Sequence, residues 1–261
     1  MRIALHGATG RMGRAVARLV HQRREDQIVG AMAAPDVPEL GRDLGEIAGL
    51  GAIGVVVTAD QASALLGADV VIDFSSAQAV PQLCRAVKRA RVALVSGTTG
   101  LDDDGQRALR EAAEIVPLLW APNMSLGVEL LARLAEMAAH ALGEDYDVEI
   151  VETHHRLKAD APSGTALRLA EAVQKSRPDL SLRHGRQGVI GPRMKNELGM
   201  HSLRGGDVIG DHTIHLMGPS ERIELTHRAT ERDLFARGAL RAAHWLIGKK
   251  PGRYALGDLL G

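Results

Sequence analysis

Arg2-Ile-Ala-Leu-His-Gly-Ala-Thr-Gly-Arg-Met-Gly13 runs from strand-forming residues through three glycines into an apolar helical pattern carried by Met12, Ala15, Val16, Leu19 and Val20. A strand that ends in a glycine turn and feeds a helix is the setting of a dinucleotide fingerprint. Glycines allow the tight turn and the close approach of the backbone to a pyrophosphate, whose charge rests on the helix N-terminus. The spacing Gly7-x-x-Gly10-x-x-Gly13 is a variant of the usual pattern. A glycine turn that merely lets strand and helix pack is the plain alternative, and the position at the first βα junction favours binding.

Strand-like apolar runs continue at Ile28 to Met32, Val55 to Thr58, Val70 to Phe74, Val92 to Ser96 and Val116 to Ala121. Helical patterns lie between them, for example Val80, Leu83, Cys84 and Val87. This alternation predicts a parallel α/β sheet, a Rossmann-like domain over residues 1–125. In such sheets the ligand lies at the carboxyl ends of the strands, so the turns at Ser96-Gly-Thr-Thr-Gly100 and Ala121-Pro-Asn-Met124 are placed to serve the same ligand. A ribose-gripping carboxylate is expected at the end of the second strand in NAD-specific sites. Here that strand ends Ala33-Ala34-Pro35-Asp36, which leaves NADH and NADPH both open, and Arg11 is a candidate partner for a 2′-phosphate.

After residue 125 the rhythm changes. A long helix pattern carries Leu126, Leu130, Leu131, Leu134, Met137 and Ala138, and from Asp147 to about Arg228 the chain reads mostly as β, with period-two alternation in His212 to Met217 and Arg222 to Thr226. Arg204-Gly-Gly-Asp207 separates two strand-like runs in the manner of a hairpin. Asp233 to Ile247 is helical again. The expectation is an inserted α+β domain over residues 126–231, with a mostly antiparallel or mixed open sheet, and a return to the first domain over residues 232–261.

Composition narrows the class of partner. The 261 residues are 45% hydrophobic with only two each of Trp, Tyr and Phe, so the core must be aliphatic. Lys plus Arg and Asp plus Glu both total 32, and a net charge of +0 gives no field favouring nucleic acid or a membrane surface. The expected partner is a small molecule. One cysteine, Cys84, on an apolar helical stripe, fits a core position and a reducing compartment. The N-terminal run has no long apolar leader and no stretch approaches the ~18 apolar residues of a membrane span, so a cytoplasmic protein is expected.

The chemistry concentrates in Glu152-Thr-His-His-Arg-Leu-Lys-Ala-Asp-Ala-Pro-Ser-Gly-Thr-Ala166. Ser163 after a proline, followed by the apolar positions Leu167, Leu169, Ala170 and Val173, reads as the cap of a helix N-terminus. Such an end carries free N–H groups and partial positive charge, and suits a carboxylate. His154, His155 and Lys158 lie just upstream to supply protons and positive charge. Fully extended, His154 to Lys158 would span about 13 Å, so the segment must curl if both reach one small molecule.

A nicotinamide site with such a loop suggests hydride transfer coupled to protonation. Short-chain dehydrogenases share the glycine turn, but their Tyr-x-x-x-Lys pair is missing: Tyr146 is followed four on by Ile150, and Tyr254 by Asp258. A cysteine-dependent aldehyde dehydrogenase lacks its exposed thiol. A metal hydrolase using Glu152, His154, His155 and Asp160 is a rival from another class, against which stands a spacing that matches no common metal pattern. A nucleotide-sensing module without turnover leaves the His-His-Lys loop unexplained.

Residues 152–166 match throughout the signature Glu-x-His-His-x-x-Lys-x-Asp-Ala-Pro-Ser-Gly-Thr-Ala, and the chain resembles the 4-hydroxy-tetrahydrodipicolinate reductase (dihydrodipicolinate reductase) family of diaminopimelate and lysine biosynthesis. The likeness extends to the glycine turn, Gly97-Thr-Thr99, Ala121-Pro-Asn-Met124, His201-Ser-Leu-Arg-Gly-Gly-Asp207 and Glu224-Leu-Thr-His-Arg228. The resemblance implies reduction of a cyclic imine dicarboxylate by NADH or NADPH with loss of water, no metal, and a homotetramer assembled through the sheet of the inserted domain. It implies His154 as proton donor or acceptor, Lys158 as second proton donor, His155 as a substrate contact, and Ser163, Gly164 and Thr165 as the carboxylate cradle. Gly7, Ala8, Thr9, Gly10, Arg11, Met12, Ala34, Gly97, Thr98, Thr99, Ala121, Pro122, Asn123 and Met124 are the implied cofactor contacts. The departure is Ala34-Pro35, where family members often carry an acidic residue followed by arginine.

Overall fold

The computed structural model describes residues 1–261, and its contacts divide the chain into one unit of residues 1–124 with 233–261 and another of residues 125–232. The first unit runs β1 (Arg2–His6), α1 (Arg11–His21), β2 (Gln27–Met32), α2 (Leu44–Ala48), β3 (Val57–Thr58), α3 (Gln61–Ala64), β4 (Val70–Asp73), α4 (Val80–Ala90), β5 (Ala93–Ser96), α5 (Asp103–Ala113) and β6 (Pro117–Trp120). The second holds α6 (Leu126–Leu142), β7 (Asp147–His154), α7 (Gly164–Ser176), β8 (Ser181–His184), β9 (Glu197–Arg204), β10 (Gly210–Met217) and β11 (Arg222–Ala229). The chain then returns to the first with α8 (Asp233–Leu246) and β12 (Gly252–Tyr254).

In the first unit all strands pair in parallel, in the order β12-β6-β5-β4-β1-β2-β3. Apart from the added β12, this is the doubly wound nucleotide-binding order, and it reverses direction between β1 and β4. The near-continuous apolar runs follow from burial of both sheet faces: Ile3, Val71, Ile72, Leu94, Val95, Leu118 and Leu119 are all inaccessible or nearly so. Each such Leu, Ile or Val contributes roughly 1.5–3 kcal/mol by leaving water. Cys84 sits in this core on α4, and burial, with the nearby Asp73 carboxylate, pushes its thiol up to about 12. It is a packing residue.

The second unit carries a mixed sheet in the order β11-β10-β7-β9-β8, antiparallel at β11-β10-β7 and parallel at β7-β9-β8. Its inner face packs Val148, Ile150, Leu198, Met200, Ile214 and Leu216 against Leu131, Ala135, Leu169 and Val173 of α6 and α7. Strand alternation sends Asp147 and Glu149 to the outer face. There Arg186 forks onto Glu149 at 2.8 and 2.7 Å, and Arg193 bonds Glu149 at 2.9 Å and Asp147 at 2.6 Å. Burial would raise the Glu149 carboxyl, but these guanidinium groups and His201 outweigh it and hold it at about 2.

Two expectations need correction. Arg204-Gly-Gly-Asp207 is not a hairpin turn, because β9 and β10 flank β7 on opposite sides. One is parallel to β7 and the other antiparallel, so the connection must cross the end of β7 rather than fold back on β9. It bonds the strand it crosses: Gly205 N–H donates to His154 O at 3.0 Å, His155 N–H to Val208 O at 2.7 Å, and Arg156 N–H to Gly206 O at 3.3 Å. The run Val55 to Thr58 contributes only Val57–Thr58 to the sheet, while Val56 makes an isolated bridge with Asp43.

Candidate active site

Two polar centres stand out, one in each unit. In the first, β1 delivers the chain into the glycine turn at the point where the strand order reverses. Gly7 has φ +73°, and a Cβ there would lie 2.4 Å from Phe74 O. A Cβ on Gly13 would lie 2.4 Å from Gly7 O, so this glycine lets α1 close down on the turn. Helix α1 starts at Gly10 with no side-chain cap and no acidic residue in its first turn. An end left open in this way suits phosphate oxygens. Arg14 braces the turn, its Nε donating to Thr9 O at 2.7 Å. The Arg11 side chain is exposed and makes no hydrogen bond or ion pair, whereas Ala8 is buried and donates its N–H to Met32 O.

Beneath the turn lies a buried cluster that sequence reading did not single out. Asp73, inaccessible to solvent at the end of β4, accepts hydrogen bonds from Ser96 Oγ at 2.7 Å, Thr98 Oγ1 at 2.8 Å and Ser75 N at 3.1 Å, and its Oδ1 lies 2.8 Å from His6 Nδ1. Burial would raise this carboxyl, but His6, Ser75 and Ser96 together lower it. The carboxyl ends of β1, β4 and β5 are thereby tied to one anion. Thr98 is held in place, with its carbonyl accepting from Trp120 Nε1 at 2.9 Å, while Thr99 is exposed. Gly97 is half-buried against the Phe74 ring, and Ala121 donates its N–H to Ser96 O. Met124 is buried, Asn123 half-buried, and Pro122 and Ala34 exposed.

In the second unit the inner face of β7 ends in chemistry instead of core. Glu152 has no accessible surface and meets Arg204 Nη1 and Nη2, each at 2.8 Å, Ser163 N at 3.2 Å, and His154 Nδ1 at 2.5 Å. Burial alone would raise the Glu152 carboxyl. Hydrogen bonds from Arg204, Ser202 and His154 outweigh it and hold the group at about 2, so it stays ionised. An ionised partner on Nδ1 fixes the ring and leaves Nε2 of His154 as the nitrogen free to exchange a proton.

Ser163 caps α7 through Ala166 N at 3.2 Å, and its hydroxyl also meets His212 Nε2 at 3.1 Å. The serine is spent on holding the helix start. At Gly164 a Cβ would meet nothing within 4 Å, so the first turn faces open space. Thr165 is half-buried beside it. Lys158 bonds both oxygens of Asp160 at 2.8 and 3.0 Å, and Arg204 Nη2 holds the Asp160 carbonyl at 2.6 Å. The half-buried His155 is anchored by its backbone to Val208. Glu152, His154, His155 and Asp160 form no group arranged to hold a metal ion.

Known proteins share this whole layout. Residues 1–124 match the amino-terminal domain of dihydrodipicolinate reductase, and residues 127–260 match its carboxyl-terminal domain. The chain belongs to the dihydrodipicolinate reductase family. Members called 4-hydroxy-tetrahydrodipicolinate reductase from Anaeromyxobacter dehalogenans and Myxococcus xanthus are 47% and 46% identical, over 100% of this chain and 97% and 98% of theirs. Among solved structures, the dipicolinate-bound dihydrodipicolinate reductase of Paenisporosarcina sp. TG-14 superposes with a TM-score of 0.79 at 25% identity, over 98% of this chain and 97% of that one. A probable dehydrogenase from Thermotoga maritima, at 13% identity and TM-score 0.65 over 99% of this chain and 92% of its own, shares the fold alone. Membership in this family makes the chain an oxidoreductase with a Rossmann-like nucleotide-binding domain. No helix is long and apolar enough to cross a membrane.

Proposed function

We propose that this chain reduces 4-hydroxy-tetrahydrodipicolinate to tetrahydrodipicolinate with release of water, using NADH or NADPH, in diaminopimelate and lysine biosynthesis. The observation that carries the reading is the fixed His154, whose Nδ1 is held by an ionised Glu152 while the same carboxylate holds the backbone of Ser163 at the start of α7. One anion thus ties the proton-handling ring to the anion-binding helix end.

The nicotinamide, when bound, supplies the hydride. Gly7, Ala8, Thr9, Gly10 and Met12 would hold the pyrophosphate on the uncapped start of α1. The loops at Gly97, Thr98, Thr99 and at Ala121, Pro122, Asn123, Met124 border the nicotinamide, and Ala34 borders the adenosine ribose. Asp73 stiffens these loops from below. Arg11, unpaired, is available to a 2′-phosphate, and neither Ala33 nor Ala34 carries a charge that would repel one.

Gly164 and Thr165 bind a substrate carboxylate with Ser163 seating them, and His155 contacts the substrate. Nε2 of His154 handles one proton. Lys158 donates the second after exchanging Asp160 for the substrate, a dianion that competes for the same ammonium. On the outer face of the five-stranded sheet Leu203 is 54% exposed, which supports assembly into a homotetramer. The net charge of +0 and the family's biosynthetic role support a cytoplasmic enzyme without nucleic-acid or membrane partners.

The test is oxidation of NADH and NADPH, followed by absorbance, with the product of dihydrodipicolinate synthase as substrate. Turnover with either nucleotide supports the proposal, and silence with both overturns it. Pyridine-2,6-dicarboxylate should compete with the imine substrate, and competition with nucleotide alone would contradict the helix-end site.

A further inference from the structure

His212 of β10 stands in register with Glu152 of β7 on one side and with His227 of β11 on the other. It is 3% exposed. Its Nε2 lies 3.1 Å from Ser163 Oγ, and its ring meets the His154 ring edge-on with centroids 5.1 Å apart. Its Nδ1 is buried without a hydrogen-bond partner. Contacts therefore close a circuit from His154 to Glu152, to Ser163, to His212 and back to His154.

Packing alone does not account for an imidazole at this place. An apolar side chain would fill the same space without leaving a ring nitrogen desolvated and unmet, a costly condition inside a protein. What the imidazole adds is the bond to Ser163. The Ser163 oxygen already accepts from Ala166 N–H, and the contact with Nε2 fixes the remaining freedom of the hydroxyl.

We propose that His212 is a positioning residue of the reduction: it seats the Ser163 hydroxyl and backs the His154 ring, so that the carboxylate-holding helix end and the proton-handling imidazole keep one mutual placement. This rests on the reductase reading given above. The ring is uncharged at neutral pH. Burial and then the neighbouring His154 disfavour charge on it, Glu152 favours it, and His227 and Lys158 disfavour it, leaving the group at about 4. A neutral ring also spares a protonated His154 a like charge at its edge.

The experiment compares His212→Leu and His212→Gln with the unsubstituted enzyme. Glutamine carries its amide to the place of Nε2, and leucine carries nothing there. Misplacement of reacting groups by about 1 Å is worth ~10²-fold, so His212→Leu should lose about 10- to 10²-fold in kcat and bind pyridine-2,6-dicarboxylate correspondingly less tightly. KM for NADH should stay unchanged, because the first unit is untouched, and His212→Gln should recover most of the turnover. Equal kcat and equal inhibitor affinity in all three proteins would overturn the proposal, as would a glutamine variant no better than the leucine one. Should His212→Leu fail to fold, His212→Asn replaces it: its shorter amide stands at the Nδ1 position and does not reach Ser163. Glutamine must then exceed asparagine about tenfold in kcat, and equality overturns the inference. If the unsubstituted protein itself turns over nothing, the reductase reading falls instead. The affinities for pyridine-2,6-dicarboxylate, measured calorimetrically, then decide the role of His212 alone.

Discussion

Gly210 faces His154 so closely that a Cβ at position 210 would lie 2.9 Å from Nε2 of the imidazole. The ring cannot simply swing aside, because Glu152 holds its other nitrogen at 2.5 Å. Gly210→Ala should therefore displace the working nitrogen and lower kcat by about 10- to 10²-fold with KM for NADH unchanged. Steady-state kinetics check this, and a fully active alanine variant would mean that Nε2 is not the atom that matters.

Glu152→Gln removes the anion on which Arg204, Ser163 and His154 converge. Breaking a buried pair leaves the other charge uncompensated, and a loss of about 3 kcal/mol in stability is expected together with a drop in kcat. Urea unfolding gives the first quantity and turnover the second. Stability and rate both at the parental level would show that the carboxylate is dispensable.

Lys158→Ala should lower kcat by about 10²- to 10⁴-fold, the usual worth of a general acid. A rise in KM with kcat preserved would reduce Lys158 to a binding group. The partner makes the complementary case: Asp160→Asn frees the ammonium and should leave kcat within a few-fold of the parent.

Stability should fall with acid in two stages. His212 is lowered from 6.5 to about 4 in the folded chain, so between these values the unfolded state takes up the proton more readily. Its contribution is complete above pH 6.5, is lost as the pH falls toward 4, and amounts to about 3 kcal/mol. Glu149 and Glu152 are lowered from 4.5 to about 2, so their contribution is present above pH 4.5 and is lost as the pH falls toward 2. Urea midpoints at pH 7, 5.5 and 4.5 should decline in the parent and decline less in His212→Gln. Parallel slopes in the two proteins would contradict the assignment.

Arg11→Ala should raise KM for NADPH about tenfold and leave KM for NADH nearly unchanged, if the unpaired guanidinium meets the 2′-phosphate. An equal rise with both nucleotides would place Arg11 on the pyrophosphate, and no rise with either would place it away from the ligand.

The first unit was readable from sequence because its strands are buried on both faces and therefore appear as unbroken apolar runs, from Ile3 to Leu119. The site loop was readable because its side chains lie within residues 152–166. What escaped is what arrives from afar. Arg204 and His212 complete the loop from β9 and β10, and Arg204 stands 52 residues from the carboxylate it forks. Nothing local in His201-Ser-Leu-Arg204 marks that pairing. The same blindness produced the false hairpin, since period-two alternation identifies a strand and the face it buries but not its neighbour. Asp73 was hidden by its place at the end of an apolar run, and the short β8 and β12 carry too few residues to show a period.

Strand β7 has β9 and β10 as its two neighbours, and both come from chain that follows it by more than forty residues. A growing polypeptide that has passed Lys158 thus possesses every proton-handling group of the loop and none of the backbone ladder that would hold them. Closing such distant pairings is slow compared with forming local ones. During synthesis the reducing centre is consequently among the last parts of the second unit to acquire its shape, and a nascent chain released before residue 217 would be chemically mute.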